Sequence, residues 1–387
     1  MHWLLAASIG FLIAGFLIGW IARSFGLARS AEKDCSPDLA KALSKAIDGD
    51  RDEAIRLLTS ITSQQDSSID PFLTLAVLFR KKGWLHRAVD LHRRLLQRND
   101  LTETARGVVY LEIARDFLEC GLWERCSEAA QKAYRHAVTQ HDAARFMARL
   151  RERERNWDEA IGWWKRSSGD IRKLKPIPYI QAARASELLD RMELKDAAQI
   201  LDEALADDPE NAALQLESIR LVLLDPGQGN PAIHCAAFLR LRDDLTGFLV
   251  DSLDVWKRAI PESMIACLTD HIKEKSAHAT GRLELVSLLM VLNRSAEARR
   301  QFETIDFRRL SADRLAKYCD IAEKLDCVAL ARDASREWMG RAIVRDGYRC
   351  RDCGYSFGRM TWRCPVCEMW GTLYAADPEL TATRETK

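Results

Sequence analysis

Phe72-Leu-Thr-Leu-Ala-Val-Leu-Phe-Arg-Lys-Lys-Gly83-Trp-Leu-His-Arg-Ala88-Val-Asp-Leu-His-Arg-Arg-Leu95 reads as two amphipathic helices divided at a glycine. Phe72, Leu75, Ala76 and Phe79 recur at three- and four-residue intervals, and Ala88, His92 and Leu95 do the same after the break. Gly83 suits a left-handed turn between them. Small residues at 76 and 88 let two antiparallel helices approach closely.

The same phrase, a turn residue followed five positions later by a small one, recurs at Gly49 to Ala54, Gly121 to Cys126, Arg155 to Ala160 and Met192 to Ala197. Successive small residues are 34, 38, 34 and 37 apart, a helix-turn-helix period. Tyr110, Ile113, Ala114 and Phe117, followed by Cys126, Ala130 and Ala133, repeat the pattern most fully. With Ala197, Leu201, Ala204 and Pro209, these positions resemble the tetratricopeptide repeat. Lys45 and Arg151 depart from it where a second large residue is expected on the first helix, and Arg184 replaces another apolar position. Past Pro209 the period fades through Asp225-Pro-Gly-Gln-Gly-Asn-Pro231. A weaker unit holds Ala232, Ala236 and Leu239, and Leu283–Leu292 and Ser311–Leu325 read as helices without an assigned register.

Working outward, the 387 residues are 47% hydrophobic, with only 10 prolines and 19 glycines, which favours an all-α chain able to bury a core. A net charge of +1 gives no global field toward a polyanion, and no nucleic-acid partner is expected. Trp3 to Ile21 is an uncharged apolar run, long enough as a helix to cross a bilayer core of about 30 Å. Arg23, Arg29 and Lys33 follow it and no Lys or Arg precedes it, so the positive-inside rule places the rest of the chain in the cytoplasm. Gly15 and Gly19 form a G-x-x-x-G that permits homo-oligomer contact through the anchor. Seven of the 11 cysteines are irregularly scattered, as reduced thiols are.

In a stack of helix pairs the first helix of each pair lines an inner wall. The expected inward positions include Arg80 and Lys81, then Arg115, then Arg145, Arg149 and Arg153, a basic groove suited to carboxylates on a partner protein. Trp84, Trp123, Trp157, Trp163 and Trp164 are expected to pack within the array, and His86, His92, His136 and His141 to be surface or satisfied core residues. No nucleotide-binding or hydrolase motif is present, so catalytic residues are expected to be none.

Near the C-terminus, Tyr348-Arg-Cys350-Arg-Asp-Cys353-Gly354-Tyr355 is followed by Trp362-Arg-Cys364-Pro365-Val-Cys367. Two C-x-x-C turns bring four thiolates onto one ion, and no histidine occurs after His278 to compete as a ligand. Zinc is favoured and iron remains the alternative, because both accept four thiolates. Trp362, Trp370, Tyr355 and Phe357 are expected to pack around the site or dock it onto the last helices.

The expected architecture is therefore a tetratricopeptide-repeat superhelix with one N-terminal transmembrane helix and a C-terminal zinc-ribbon or rubredoxin-like knuckle. Its boundaries are an anchor at 1–22, a linker at 23–35, the array at 36–340 (clear to about 209), the metal domain at 346–376 and a tail at 377–387. In this order the parts resemble the lipopolysaccharide assembly protein B family. The segments that carry the resemblance are Thr74–Arg80 with Gly83 and Arg87-Ala88, Ala114–Phe117 with Gly121-Leu122, and the closing cysteine pairs. The resemblance implies an inner-membrane, single-pass adaptor with a periplasmic N-terminus. It further implies coupling of the lipid A pathway deacetylase LpxC to the FtsH protease, and association with lipopolysaccharide assembly proteins. A rubredoxin-type redox protein and a repeat scaffold for another membrane assembly are the competing readings.

Overall fold

The computed structural model describes residues 37–63, 68–167, 176–255, 262–274, 279–340 and 347–375. The anchor and linker expected at 1–35 lie outside these residues, and no helix among them is long and apolar enough to cross a membrane. The chain divides into two compact units, Met1–Met147 and Ala148–Lys387.

In the first unit α1 (Pro37–Ile47) pairs with α2 (Arg51–Thr62), α3 (Ile69–Lys81) with α4 (Leu85–Leu96), and α5 (Glu103–Glu119) with α6 (Trp123–Tyr134). Helix α7 (Gln140–Arg153) spans the division between the units. The Asp50 carboxylate accepts the Glu53 N–H at the start of α2, and the Thr102 hydroxyl accepts the Ala105 N–H at the start of α5.

The turns inside the second and third pairs are built alike. Gly83 sits at φ 79°, with the Trp84 N–H donating to the Phe79 carbonyl at 2.8 Å and the Gly83 N–H to Arg80 at 2.9 Å. This is a Schellman ending, in which the left-handed residue turns two otherwise orphaned carbonyls onto donors. Gly121 repeats it between α5 and α6, where the Leu122 N–H reaches the Phe117 carbonyl at 2.9 Å. The small residue five positions on then points at the partner helix: Ala54, Ala88 and Cys126 have no exposed surface, nor do Ala42, Ala76 and Ala114 on the first helices.

One charged network crosses this unit. Asp116 on α5 is wholly buried, accepting from Arg80 of α3 at 2.7 Å and facing His92 Nδ1 of α4 at 2.6 Å. Arg80 also holds Glu112 at 2.7 Å. His92 is thus a core histidine that, through Asp116, ties three helices together on its Nδ1 side, while its buried Nε2 meets no hydrogen-bond partner among the described residues.

The second unit continues with α8 (Trp157–Arg166), α9 (Pro176–Asp190), α10 (Leu194–Asp207), α11 (Ala212–Leu224) and α12 (Pro231–Leu241). Then come α13 (Thr246–Val255), α14 (Glu262–Glu274), α15 (Ala279–Val291), α16 (Ser295–Phe302), α17 (Ala312–Lys324) and α18 (Val328–Gly340). The helical phrase survives past residue 209. Asn293 and Asp326 take the left-handed turn at φ 58° and 55°, the Arg294 and Cys327 N–H groups close the Schellman bonds at 2.9 and 2.8 Å, and the buried Ala298 and Ala331 follow five positions later. Asn and Asp tolerate this backbone better than most residues, so the motif persists without its glycine.

The weaker unit has a different phase from the one read in the sequence. Asn230 caps α12 with Pro231 in its first turn, which turns Cys235, Phe238 and Leu239 inward and leaves Ala236 on the surface. Two of the three polar departures are met by charge: Arg151 pairs with Glu154 and Glu159 and Arg184 pairs with Asp158, whereas Lys45 is half-buried.

Glu217 on α11 is buried beside Arg220, and burial pushes its carboxyl from the ordinary 4.5 up to about 7. The folded chain holds this proton where the unfolded chain has released it, so stability falls as pH rises from 4.5 to about 7 and is level above. Glu217→Gln is expected to flatten that slope, raising stability at pH 8 by up to about 3 kcal/mol in denaturant titrations.

Candidate metal centre

Three short strands carry the knuckle: β1 (Tyr348–Cys350), β2 (Ser356–Phe357) and β3 (Leu373–Ala375), antiparallel in the order β2-β1-β3. Tyr348 lies opposite Phe357 on one side and Ala375 on the other. Cys350 ends β1, and Cys353 follows in a turn closed by the Gly354 N–H on the Cys350 carbonyl at 2.9 Å. The second turn copies the first, with the Glu368 N–H on the Cys364 carbonyl at 2.9 Å. The residue after each pair is left-handed, Gly354 at φ 71° and Glu368 at 60°.

The four Sγ atoms lie within 4.8 Å of one another, with Cys350 to Cys367 at 3.6 Å and Cys353 to Cys364 at 3.7 Å. A tetrahedron with metal–sulfur bonds of about 2.3 Å has edges of about 3.8 Å, so the donors fit one four-coordinate ion. Burial alone would raise the Cys350 thiol. The Thr372 hydroxyl at 3.2 Å and the N–H groups of Cys353 and Asp352 outweigh it and bring Cys350 down to about 6, favouring the thiolate a metal needs. Four thiolates close the shell, leaving no position for a reacting water.

Around this centre the aromatic side chains divide. Phe357 packs on Cys350, Cys364 and Leu373, whereas Tyr355 is exposed and tilted against the Phe357 ring, 5.1 Å between ring centres. Trp362 and Trp370 turn away from the thiolates. Both meet Tyr179 of α9 at 6.0 Å between ring centres, and Trp362 meets Phe248 of α13 at 6.3 Å. Glu152 of α7, buried, accepts from the Trp164 indole at 2.5 Å and the Trp370 indole at 3.3 Å, and pairs with Arg363 at 3.3 Å. Desolvation holds its carboxyl above the ordinary value against the pull of Arg363. Arg242 donates to the Leu373 carbonyl at 2.7 Å while holding Asp244, which accepts the Ala375 N–H at 3.4 Å. The knuckle therefore docks largely on the middle helices of its unit, α7, α9 and the 242–248 segment. The sequence expectation was that these aromatics pack around the site or dock it onto the last helices, because no local pattern links Tyr179 or Glu152 to a tryptophan about two hundred residues away.

Gly371 shows how tight that docking is. It sits at φ 68°, and an added Cβ would lie 2.2 Å from the Tyr179 hydroxyl. Gly371→Ala is expected to cost about 3 kcal/mol, from left-handed backbone strain plus overpacking, and to shift tryptophan emission while bound metal is retained.

The arginines expected to line a groove fall into different settings. Arg80 is committed to Glu112 and Asp116, and Arg115 shares Glu112 from its exposed side. Lys81 is exposed, and Arg145 is exposed 4.0 Å from Asp142. Arg153 pairs with Glu368 of the knuckle, and Arg149 is half-buried where its charge acts on Glu152 and Glu368. Trp157 and Trp164 each donate to a glutamate, Glu187 and Glu152, whereas Trp84 and Trp123 are partly exposed at the starts of second helices.

These features define a class: a helical-repeat protein bearing a rubredoxin-like, four-cysteine metal knuckle. The family model described as the rubredoxin metal binding domain matches residues 348–375. The resemblance to lipopolysaccharide assembly protein B extends over nearly the whole chain. The protein of that name from Escherichia coli (strain K12) is 21% identical over 379 residues, covering 92% of this chain and 96% of its own. The one from Haemophilus influenzae is 22% identical over 405 residues with the same coverage. Among solved structures, the C-terminal part of a TPR repeat-containing protein from Cytophaga hutchinsonii aligns at a TM-score of 0.40 and 13% identity, over 69% of this chain and 93% of that one. The TPR protein YrrB aligns at 0.34 and 13%, over 51% and 96%.

Proposed function

We propose that this chain is a non-catalytic, membrane-tethered adaptor that regulates lipopolysaccharide synthesis by bringing the deacetylase LpxC to the protease FtsH. The observation that carries the reading is the closed four-thiolate knuckle held against the repeat helices by Trp362 and Trp370, a structural use of metal that leaves protein surfaces, rather than an open coordination site, as the means of action. The near full-length likeness to proteins named for lipopolysaccharide assembly supports the pathway. The apolar run at Trp3–Ile21 supports the tether, which raises the effective concentration of a soluble substrate beside a membrane protease. Zinc is the proposed ion.

Quantitative pull-down of the full chain from membranes, with metal analysis of the same sample, tests the proposal. FtsH and LpxC are expected to co-purify with one zinc per chain. Iron with a visible absorption band and neither partner would favour a redox carrier and overturn the reading. Within this proposal the exposed Arg115 and Arg145 are the groove residues open to a carboxylate partner. Reversing both to Glu is expected to weaken LpxC capture about tenfold or more without loss of helicity by circular dichroism.

A further inference from the structure

The four knuckle sulfurs are unequally covered. Cys350 and Cys364 are buried, Cys367 is half-buried and Cys353 is exposed, as is every residue of the turn at 351–356. The Cys350 sulfur has a further partner, the Thr372 hydroxyl at 3.2 Å. Two approaches run from one turn to the other, Cys353 Sγ to Cys364 Sγ at 3.7 Å and Cys350 Sγ to Cys367 Sγ at 3.6 Å. At these separations each pair is in contact.

We propose that the knuckle is an oxidation site as well as a metal site: peroxide enters at Cys353, Cys364 closes a disulfide with it, and the loss of both ligands releases the ion and undocks the knuckle. Exposure sets the entry point. A metal-bound thiolate keeps lone pairs that an oxidant can take, and of the four sulfur residues Cys353 is the one most open to solvent. Proximity sets the partner. Cys364 is already in contact with Cys353, and the exposed turn that carries Cys353 moves toward it without unpacking a core.

The chemistry balances with hydrogen peroxide as the oxidant. The Cys353 sulfur attacks one peroxide oxygen; the S–O bond forms, the O–O bond breaks, and hydroxide leaves. The Cys364 thiolate then attacks the Cys353 sulfenic acid sulfur; the S–S bond forms, the S–O bond breaks, and a second hydroxide leaves. Two thiolates and one peroxide become one disulfide and two hydroxides, with the sulfur pair oxidised by two electrons. Cys350 and Cys367 alone remain as thiolates, half of the donors that a closed site needs, and the divalent ion dissociates with its charge unchanged. Docking fails with it, because Trp362 and Arg363 directly precede Cys364 and hold Tyr179 and Glu152.

This inference rests on zinc as the resident ion, since zinc brings no redox chemistry of its own. The test uses the full chain with its metal bound. Metal content is measured first; the chain is then exposed to hydrogen peroxide, released zinc is read with a chromogenic chelator, and the denatured, alkylated protein is mapped by peptide mass spectrometry. The expected product is a linked pair of peptides containing Cys353 and Cys364, two hydrogens lighter than their sum, formed in step with zinc release and red-shifted tryptophan emission. Dithiothreitol with added zinc is expected to reverse all three, and the half-buried Cys120, Cys267 and Cys319 are expected to stay alkylatable at the same dose. Cys353→His keeps a four-ligand zinc set without the entry sulfur, so peroxide is expected to release its zinc at least about tenfold more slowly. The wild-type map stands by itself if that variant holds no metal. Zinc released while Cys353 stays fully alkylatable would overturn the proposal, as would Cys353 oxidised with zinc retained or linked to a cysteine other than Cys364. Iron in the untreated sample would overturn the zinc reading alone, because the peptide map still decides whether Cys353 and Cys364 link.

Discussion

Stripping the metal, by a chelator or by Cys364→Ser, is expected to unfold residues 348–375 and to loosen the helices beneath them. The knuckle's own buried cluster consists of Cys350, Cys364 and Leu373, too little apolar surface to hold three short strands together. With zinc, the proposed ion, a structural four-thiolate site would supply roughly 10–16 kcal/mol of apparent binding free energy, so folding of the segment would be carried by the ion. Once the two turns open, Trp362 and Trp370 lose Tyr179, Glu152 keeps a buried carboxylate without Arg363, and Arg242 loses the Leu373 carbonyl. The expected readouts are red-shifted tryptophan emission, faster amide exchange in α9 and a lower melting temperature for the helices of the second unit. Cys353→Ser should act as strongly as Cys364→Ser although Cys353 is exposed, because coordination rather than packing is what is lost. Unchanged exchange in α9 after metal removal would show that docking does not depend on the ion.

Asp116→Ala should be the most damaging single change in the first unit. It leaves Arg80 with only Glu112 and leaves His92 Nδ1 without a partner inside a region where neither His92 nor Asp116 has any exposed side chain. Breaking a buried ion pair by removing one member typically costs about 3–5 kcal/mol, far above the value of a surface pair. Denaturant unfolding followed by circular dichroism is expected to show that loss. Asp116→Asn should cost less, since it keeps one acceptor for Arg80. A change below about 1 kcal/mol for Asp116→Ala would place the network among surface-like pairs and contradict the burial that motivates it.

The contrast between Asp116 and the knuckle cysteines shows what kind of information was legible in the chain. Each thiolate pair is a local motif, two residues apart and followed by a left-handed residue, and its chemistry permits few alternatives. The repeat phrase was legible for the same reason: a Schellman turn and a small residue five positions later are set by neighbouring residues. At α15–α16 and α17–α18 Asn293 and Asp326 take the same left-handed turn, as Arg155 and Met192 do earlier, and there the phrase went unread. Arg80 illustrates the opposite case. Its place on a first helix was readable, but its partners lie 32 and 36 residues away on α5, so nothing nearby announced that its charge is spent inside the chain. The same holds for Arg153, which faces Glu368 at a separation of 215 residues.

By itself, the sequence determined the paired helices, their period as far as the glycine-like turns persist, and a four-thiolate site fitted to one metal ion. These depend on backbone geometry and donor spacing within a few residues. Only the tertiary structure decided where the knuckle docks and which arginines remain open to a partner. Those outcomes rest on desolvated contacts between distant segments: a tryptophan against Tyr179 and a guanidinium against Asp116. The free energy of such a contact belongs to the pair and its burial, which no stretch of sequence contains alone.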